Sequence, residues 1–170
     1  MNVANVYVDF KLAVEEGTSF FRVLAQCFIY EDSQDDPIQI GEVSLHLFYP
    51  VTSTYLDLFG EADCLSSNLS YSLISLDKFC KIDKIKGAVA IFHTFFLNEF
   101  HDERELRIAI YKKLEEQLSL LNVEWIVISN SQDQVRGNII NLLTDFSEVG
   151  YTSFHEENKP NIMLKKISRT

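Results

Sequence analysis

The stretch from residue 87 to residue 129 constrains the fold of this 170-residue chain more than any other part. Residues Ala88 to Leu97 are almost all apolar or small, which predicts a strand that is covered on both faces and central in its sheet. After His101, apolar residues recur every three or four positions, which predicts an amphipathic helix of about five turns. Val123 to Ser129 is a β-branched run and predicts a second strand. Strand, helix and strand in this order favour a right-handed crossover between neighbouring strands of one sheet.

The first half of the chain predicts a strand meander followed by helices. Val6 to Val14 and Phe20 to Tyr30 alternate between apolar and polar residues, and the short turn around Gly17 makes an antiparallel pair of them. Ile38 to Tyr49 predicts a third strand, which Pro50 ends. Residues 54 to 79 are less regular and predict one or two helices.

The last part of the chain predicts one more helix and a hairpin. Apolar residues from Ile139 to Val149 follow a helical period, and Gly150 is suited to end that helix. Thr152 to Glu156 and Ile162 to Ile167 predict two short strands. The whole predicts an α+β fold in a single domain over residues 1–170, with a central mixed, mostly antiparallel sheet flanked by helices.

Charge and composition restrict the classes of function. Fifteen Lys and Arg against 25 Asp and Glu give a formal net charge of −10, which argues against a nucleic-acid partner. No apolar run is long enough to span a membrane, and the N-terminus lacks the features of a signal peptide. The three cysteines have no metal-type spacing. We therefore expect a cytoplasmic protein with no metal site and no membrane partner.

The order of the elements, together with the segment Phe146-Ser147-Glu148-Val149-Gly150-Tyr151, resembles the GNAT superfamily of acyl-CoA-dependent N-acyltransferases. That segment is similar to the Tyr-x-x-x-Gly-Phe pattern at the end of the last helix of the family. The resemblance covers residues 88–168 and implies a GNAT-like fold. It also implies acetyl-CoA as the cofactor and an amine as the acceptor.

The resemblance gives three candidate cofactor-binding residues at the start of the central helix. The family has a pyrophosphate loop of the form Gln/Arg-x-x-Gly-x-Gly/Ala, in which Arg104 and Ala109 match and Arg107 replaces the first glycine. Phosphate binding at a helix start needs exposed amides and close backbone approach. The Arg107 side chain and the acids Asp102, Glu103 and Glu105 oppose phosphate binding. We therefore expect acetyl-CoA to be a doubtful ligand, although the two arginines offer some direct pairing.

The candidate catalytic residues are Glu99 and His101, at the end of the central strand. A carboxylate or imidazole there is suited to take a proton from an amine, although a solvated strand end gives the same pattern. His93, earlier in the strand, fits either this role or a packed, hydrogen-bonded one. For His46 on the third strand the alternatives are a side chain that points into a cleft and a hydrogen-bonded neighbour of the core. The family places an acidic tyrosine at the position of Phe146, which has no proton to give.

Three functional hypotheses follow. In the first, a GNAT-like fold with a degraded acyl-CoA pocket binds a protein or a small-molecule ligand. In the second, the protein is an active acetyl-CoA-dependent N-acyltransferase with an unknown amine acceptor. In the third, the charge of −10 makes it an acidic inhibitor or a nucleic-acid mimic. The identity of the partner and the oligomeric state stay open at this stage.

Overall fold

Seven strands form one sheet in the computed structural model, which describes residues 6–30, 36–98, 101, 103–129 and 139–167. The strands are β1 (Val6–Val14), β2 (Phe21–Ile29), β3 (Ile38–Phe48), β4 (Ala88–Leu97), β5 (Val123–Ser129), β6 (Thr152–Phe154) and β7 (Ile162–Lys166). Their order across the sheet is β1-β2-β3-β4-β5-β7-β6. The pair β4 and β5 is parallel and the other neighbours are antiparallel, so the predicted mixed, mostly antiparallel sheet is confirmed.

Four helices flank the sheet, as predicted. They are α1 (Tyr55–Leu65), α2 (Ser67–Cys80), α3 (Arg104–Leu120) and α4 (Ile139–Glu148). The hydroxyls of Thr54 and Ser66 accept hydrogen bonds from backbone N–H groups at the starts of α1 and α2. These N–H groups have no partner within their own helix. The irregular stretch of residues 54–79 therefore contains two helices, between β3 and β4.

Each face of the sheet has its own buried apolar layer. One layer joins the sheet to α3 and α4, and its members include Ala25, Leu45, Ala90, Ile126, Ile110, Leu114 and Phe146. The other joins the opposite face to α1 and α2, and its members include Phe48, Ile91, Val127, Leu58, Leu73 and Leu76. Both layers meet at β4 and β5, so the prediction of a strand covered on both faces is confirmed for Ala88 to Phe92, whereas Phe96 near the end of β4 is exposed.

A bulge changes the phase of β4 at His93. Ser44 pairs with Thr94 but the next residue, Leu45, pairs with Phe92, so His93 is the additional residue. Before the bulge Ala90 and Phe92 belong to the α3 layer, and after it the odd positions Phe95 and Leu97 do. The regular alternation that would place His93 on one face with the end of the strand is therefore broken.

The parallel strands β4 and β5 separate above this bulge. Their last paired residues are Phe92 and Ile128, whereas β4 continues to Leu97. The chain then leads into α3, which begins at Arg104. In sheets with parallel strands, ligands commonly bind beyond the carboxyl ends of such strands.

Both α3 and α4 are followed by a residue with positive φ, and for α4 this confirms the predicted role of Gly150. Asn122, after α3, has φ of 59°, and Gly150, after α4, has φ of +90°, the left-handed conformation that glycine and asparagine favour. At the start of α3 the N-cap is Glu103, which makes no side-chain capping bond. None of the described helices is long and apolar enough to cross a membrane.

Candidate functional site

Two arginines at the start of α3 are paired with two acids on α4. Arg107 is 5% exposed, and its Nε donates to Oδ2 of Asp145 at 2.6 Å. Asp145 is itself 1% exposed, and its Oδ1 lies 3.5 Å from Nε of Arg104. Arg104 also pairs with Glu148. These contacts join the two helices by a charged network whose centre is buried.

The position of Arg107 on α3 explains why it is buried. Leu106, Ile110 and Leu114 form the apolar stripe that packs on the sheet, and Arg107 lies beside them on the same side of the helix. A buried guanidinium is costly unless a carboxylate pairs with it. Asp145 supplies that carboxylate, so the ion pair is a requirement of the packing between α3 and α4.

The charges at the start of α3 differ from those that a pyrophosphate site needs. A phosphate needs exposed amides and a net positive field. Here Glu103 occupies the N-cap, Glu105 lies in the first turn, and the positive charge of Arg107 is taken by Asp145. Ala109, the third predicted cofactor residue, lies partly buried within the helix. The predicted contacts of Arg104, Arg107 and Ala109 with acetyl-CoA stay predictions.

Phe146 is enclosed by aromatic rings. It lies 4.4 Å from Tyr111 and 5.2 Å from Tyr151, measured between ring centroids. Burial raises the pKa of Tyr151 well above its ordinary value, and the nearby Glu115 carboxylate adds to this effect. Nζ of Lys165 donates to Oε2 of Glu115 at 2.6 Å. Tyr151 therefore keeps its proton, and its side chain lies in the core.

Of the two predicted catalytic residues, His101 lies just before α3. Glu99 lies outside the described residues. The backbone N–H of His101 donates to the carbonyl of Asn98 at 2.8 Å, and its Nδ1 is buried without a hydrogen-bond partner among the described residues. The catalytic roles of Glu99 and His101 stay predictions.

A pair of histidines lies on the face of the sheet opposite α3. His46 on β3 and His93 at the bulge have ring centroids 5.8 Å apart and cross at 75°. His46 is buried, with Nε2 3.8 Å from Oε1 of Glu15. Burial lowers the pKa of His46, His93 and Arg22 lower it further, and Glu15 opposes them. Since its ordinary value is 6.5, His46 is neutral at pH 7.

A groove of about 370 Å³ lies at the start of β3 and the end of β4. Its walls are Gln39, Ile40, Gly41, Glu42, Thr94, Phe96 and Asn98. A methyl group added at Gly41 would meet the carbonyl oxygen of Phe96 at 2.5 Å, so only glycine allows the strands to lie this close. The groove thus combines one carboxylate, polar amides and the ring of Phe96, which is 48% exposed.

Sequence reasoning missed both the groove and the acids on α4. Gly41 within an alternating strand and Asp145 beside an apolar helix stripe were the available signals. Neither signal indicates which residues of a distant element lie opposite Gly41 or Asp145. Among the described residues no group of three or more histidine, cysteine, aspartate or glutamate side chains is placed to hold a metal ion.

No protein-family model and no curated protein matches this sequence. Solved structures of similar fold include three for which the match covers 85% of this chain and 74% of the other. They are an agmatine N-acetyltransferase (7% identity, TM-score 0.52), the polyamine N-acetyltransferase of Drosophila melanogaster (8%, 0.51) and the mosquito arylalkylamine N-acetyltransferase like 5b (11%, 0.52). At this identity the likeness establishes the fold alone. The chain therefore has the GNAT acetyltransferase fold.

Proposed function

We propose that this protein uses a GNAT fold with a degraded acyl-CoA pocket to bind a small amine-bearing ligand, without acyl transfer. The observation that carries the first part is the buried pair of Arg107 and Asp145, which removes a cation from the helix end where pyrophosphate would bind. Arg104 is drawn to the same aspartate and to Glu148. A phosphate would have to compete with carboxylates that are already in place.

The chemistry of the groove supports an amine as the ligand. Glu42 offers an anion, Phe96 offers an exposed aromatic face, and Gln39 and Asn98 offer amide groups. An ammonium group is attracted both by a carboxylate and by an aromatic face. The net charge of −10 attracts cations over longer distances. The similar structures are enzymes named for agmatine, polyamine and arylalkylamine, all of which carry amines.

Titration calorimetry with agmatine and with a polyamine tests this proposal. We expect binding that Glu42→Gln weakens by about five- to tenfold, which corresponds to a loss of 1 to 1.4 kcal/mol. The matched control is Glu116→Gln, which removes the same charge from the exposed side of α3. Absence of amine binding to the unmodified protein, or equal weakening by both substitutions, would contradict the groove as the site.

An active N-acyltransferase is the second candidate, because the neutral His46 lies against His93 where β4 and β5 separate. An amine must lose a proton before it attacks, and a neutral imidazole accepts one. Release of free thiol from acetyl-CoA in the presence of agmatine distinguishes the candidates. The binding hypothesis predicts no turnover above buffer. Turnover that His46→Gln abolishes, with the fold retained, would favour the enzyme.

A further inference from the structure

The two edges of the sheet differ in how they are protected against further strands. β6, at one edge, has three residues and is followed by a turn that contains Pro160. β1, at the other, has nine residues, no proline and a pairing with β2 without any register shift. No described strand pairs with the outer side of β1. A long, regular edge of this kind is a template for another strand.

Near the end of β1, two apolar side chains are exposed, next to the exposed Lys11. Leu12 is 50% exposed and Val14 is 70% exposed, whereas Val6 and Val8, earlier in the same strand, are buried next to α3. One face of β1 is therefore covered at its start and open at its end. If a second β1 strand paired antiparallel with this one, its buried start would lie beside the exposed end of the first.

The sequence of β1 is complementary to itself in the antiparallel register centred on Phe10. In that register Val6 lies opposite Val14 of the second copy and Val8 lies opposite Leu12, all on the face towards α3. On the other face Asp9 lies opposite Lys11 of the second copy, and the two-fold axis repeats this ion pair. Within the described part of the chain neither Asp9 nor Lys11 has an oppositely charged partner; Lys11 donates to Oε1 of Gln26 at 2.6 Å.

We propose that β1 pairs antiparallel with β1 of a second copy of this chain, which joins two sheets into one across a two-fold axis. Main-chain hydrogen bonds supply the contact, and the alternating side chains set the register. Shifting the register by one residue would break both ion pairs and mix the apolar and polar faces. The proposal is independent of what the groove binds, because β1 contributes no residue to its walls.

Sedimentation velocity with charge-swap variants tests the register. We expect the unmodified protein to sediment at about 39 kDa, twice the 19.6 kDa chain, at about 100 µM, where a dimer with a Kd near 1 µM is almost fully formed. Asp9→Lys places lysines opposite lysines, and Lys11→Asp places aspartates opposite aspartates. Each variant alone should be largely monomeric, and an equimolar mixture of the two should again sediment near 39 kDa.

The matched control is Lys112→Asp, which makes the same charge change as Lys11→Asp on an exposed position of α3. It should leave the dimer intact. Circular dichroism of each variant establishes that the fold is kept. A monomer at every concentration would overturn the proposal. A dimer that persists in both single variants, or a mixture that stays monomeric, would also overturn it, since another surface or register would then be responsible.

Discussion

Replacing Asp145 by leucine should lower the free energy of unfolding by about 3 to 5 kcal/mol, the usual cost of removing one partner of a buried ion pair. The estimate applies because both partners are almost fully buried: Asp145 is 1% exposed and Arg107 is 5% exposed. Arg104, whose Nε lies 3.5 Å from the same carboxylate, loses a contact as well. Arg107→Met should cost a similar amount, because it leaves the aspartate buried without the Nε donor at 2.6 Å.

The double variant Arg107→Met/Asp145→Leu distinguishes an ion pair from two independent packing positions. Apolar residues that replace both partners of a buried pair are often neutral or stabilising, so the double variant should lie within about 2 kcal/mol of the unmodified protein. The two single costs would then be strongly non-additive, which is the signature of direct coupling. Arg104→Met is the control: its side chain is half-exposed, and we expect a cost of no more than about 1 kcal/mol.

Urea unfolding followed by the fluorescence of Trp125 in β5 measures these free energies. In thermal unfolding, a loss of 3 to 5 kcal/mol in a chain of this length corresponds to a fall in Tm of about 6 to 20 °C. Single variants that cost less than about 1 kcal/mol would refute the reasoning. So would additive costs in the double variant, because they would show that the two residues stabilise the protein separately.

Three further predictions concern the groove, the histidine pair and the cysteines. Gly41→Ala should destabilise the protein by about 1 to 3 kcal/mol, since its methyl group would meet a backbone carbonyl at 2.5 Å. Gly60→Ala, in the open part of α1, should stabilise the protein by about 0.5 to 1 kcal/mol. Urea unfolding of the two variants should therefore give changes in unfolding free energy of opposite sign. The lowered pKa of His46 keeps it neutral in the folded state, while the unfolded chain takes up a proton below pH about 6.5. The free energy of unfolding should therefore fall as the pH drops from 7 to 5. His46→Gln should reduce this dependence on pH, which unfolding at several pH values measures. Burial raises the pKa of Cys27 to about 12. A thiol reagent at pH 8 should therefore label the exposed Cys64 at once, and Cys27 only when the protein unfolds. Equal rates of labelling at the two cysteines would contradict the burial of Cys27.

The strands and helices could be predicted because their signals are local. The change from a continuous apolar run in β4 to a period of three and four in α3 is a property of adjacent residues. The turn residues Asn122 and Gly150 mark helix ends for a reason that also lies within the backbone, namely their tolerance of positive φ. Element order then restricts the topology to a few choices, of which the GNAT order is one.

The site was less predictable because its contacts join elements that are far apart in sequence. Arg107 on the apolar side of α3 indicates that a buried charge needs a partner, but Asp145 is 38 residues away, and only the packing of α3 against α4 brings them together. The bulge at His93 shifts the alternation of β4, and nothing in the local pattern announces it. The exposure of Phe96 and the groove beside it follow from that shift.

Thermal unfolding with and without 1 mM CoA or acetyl-CoA tests the central claim most directly, since the claim is that the start of α3 does not accept pyrophosphate. A ligand that binds the folded state with a Kd near 10 µM adds about 2.7 kcal/mol at that concentration, which raises Tm by about 5 to 11 °C. We predict a change of less than about 1 °C, because Arg104 and Arg107 are already paired with Asp145 and Glu148. A rise of several degrees that Arg104→Ala removes would contradict the account and restore acyl-CoA as a ligand.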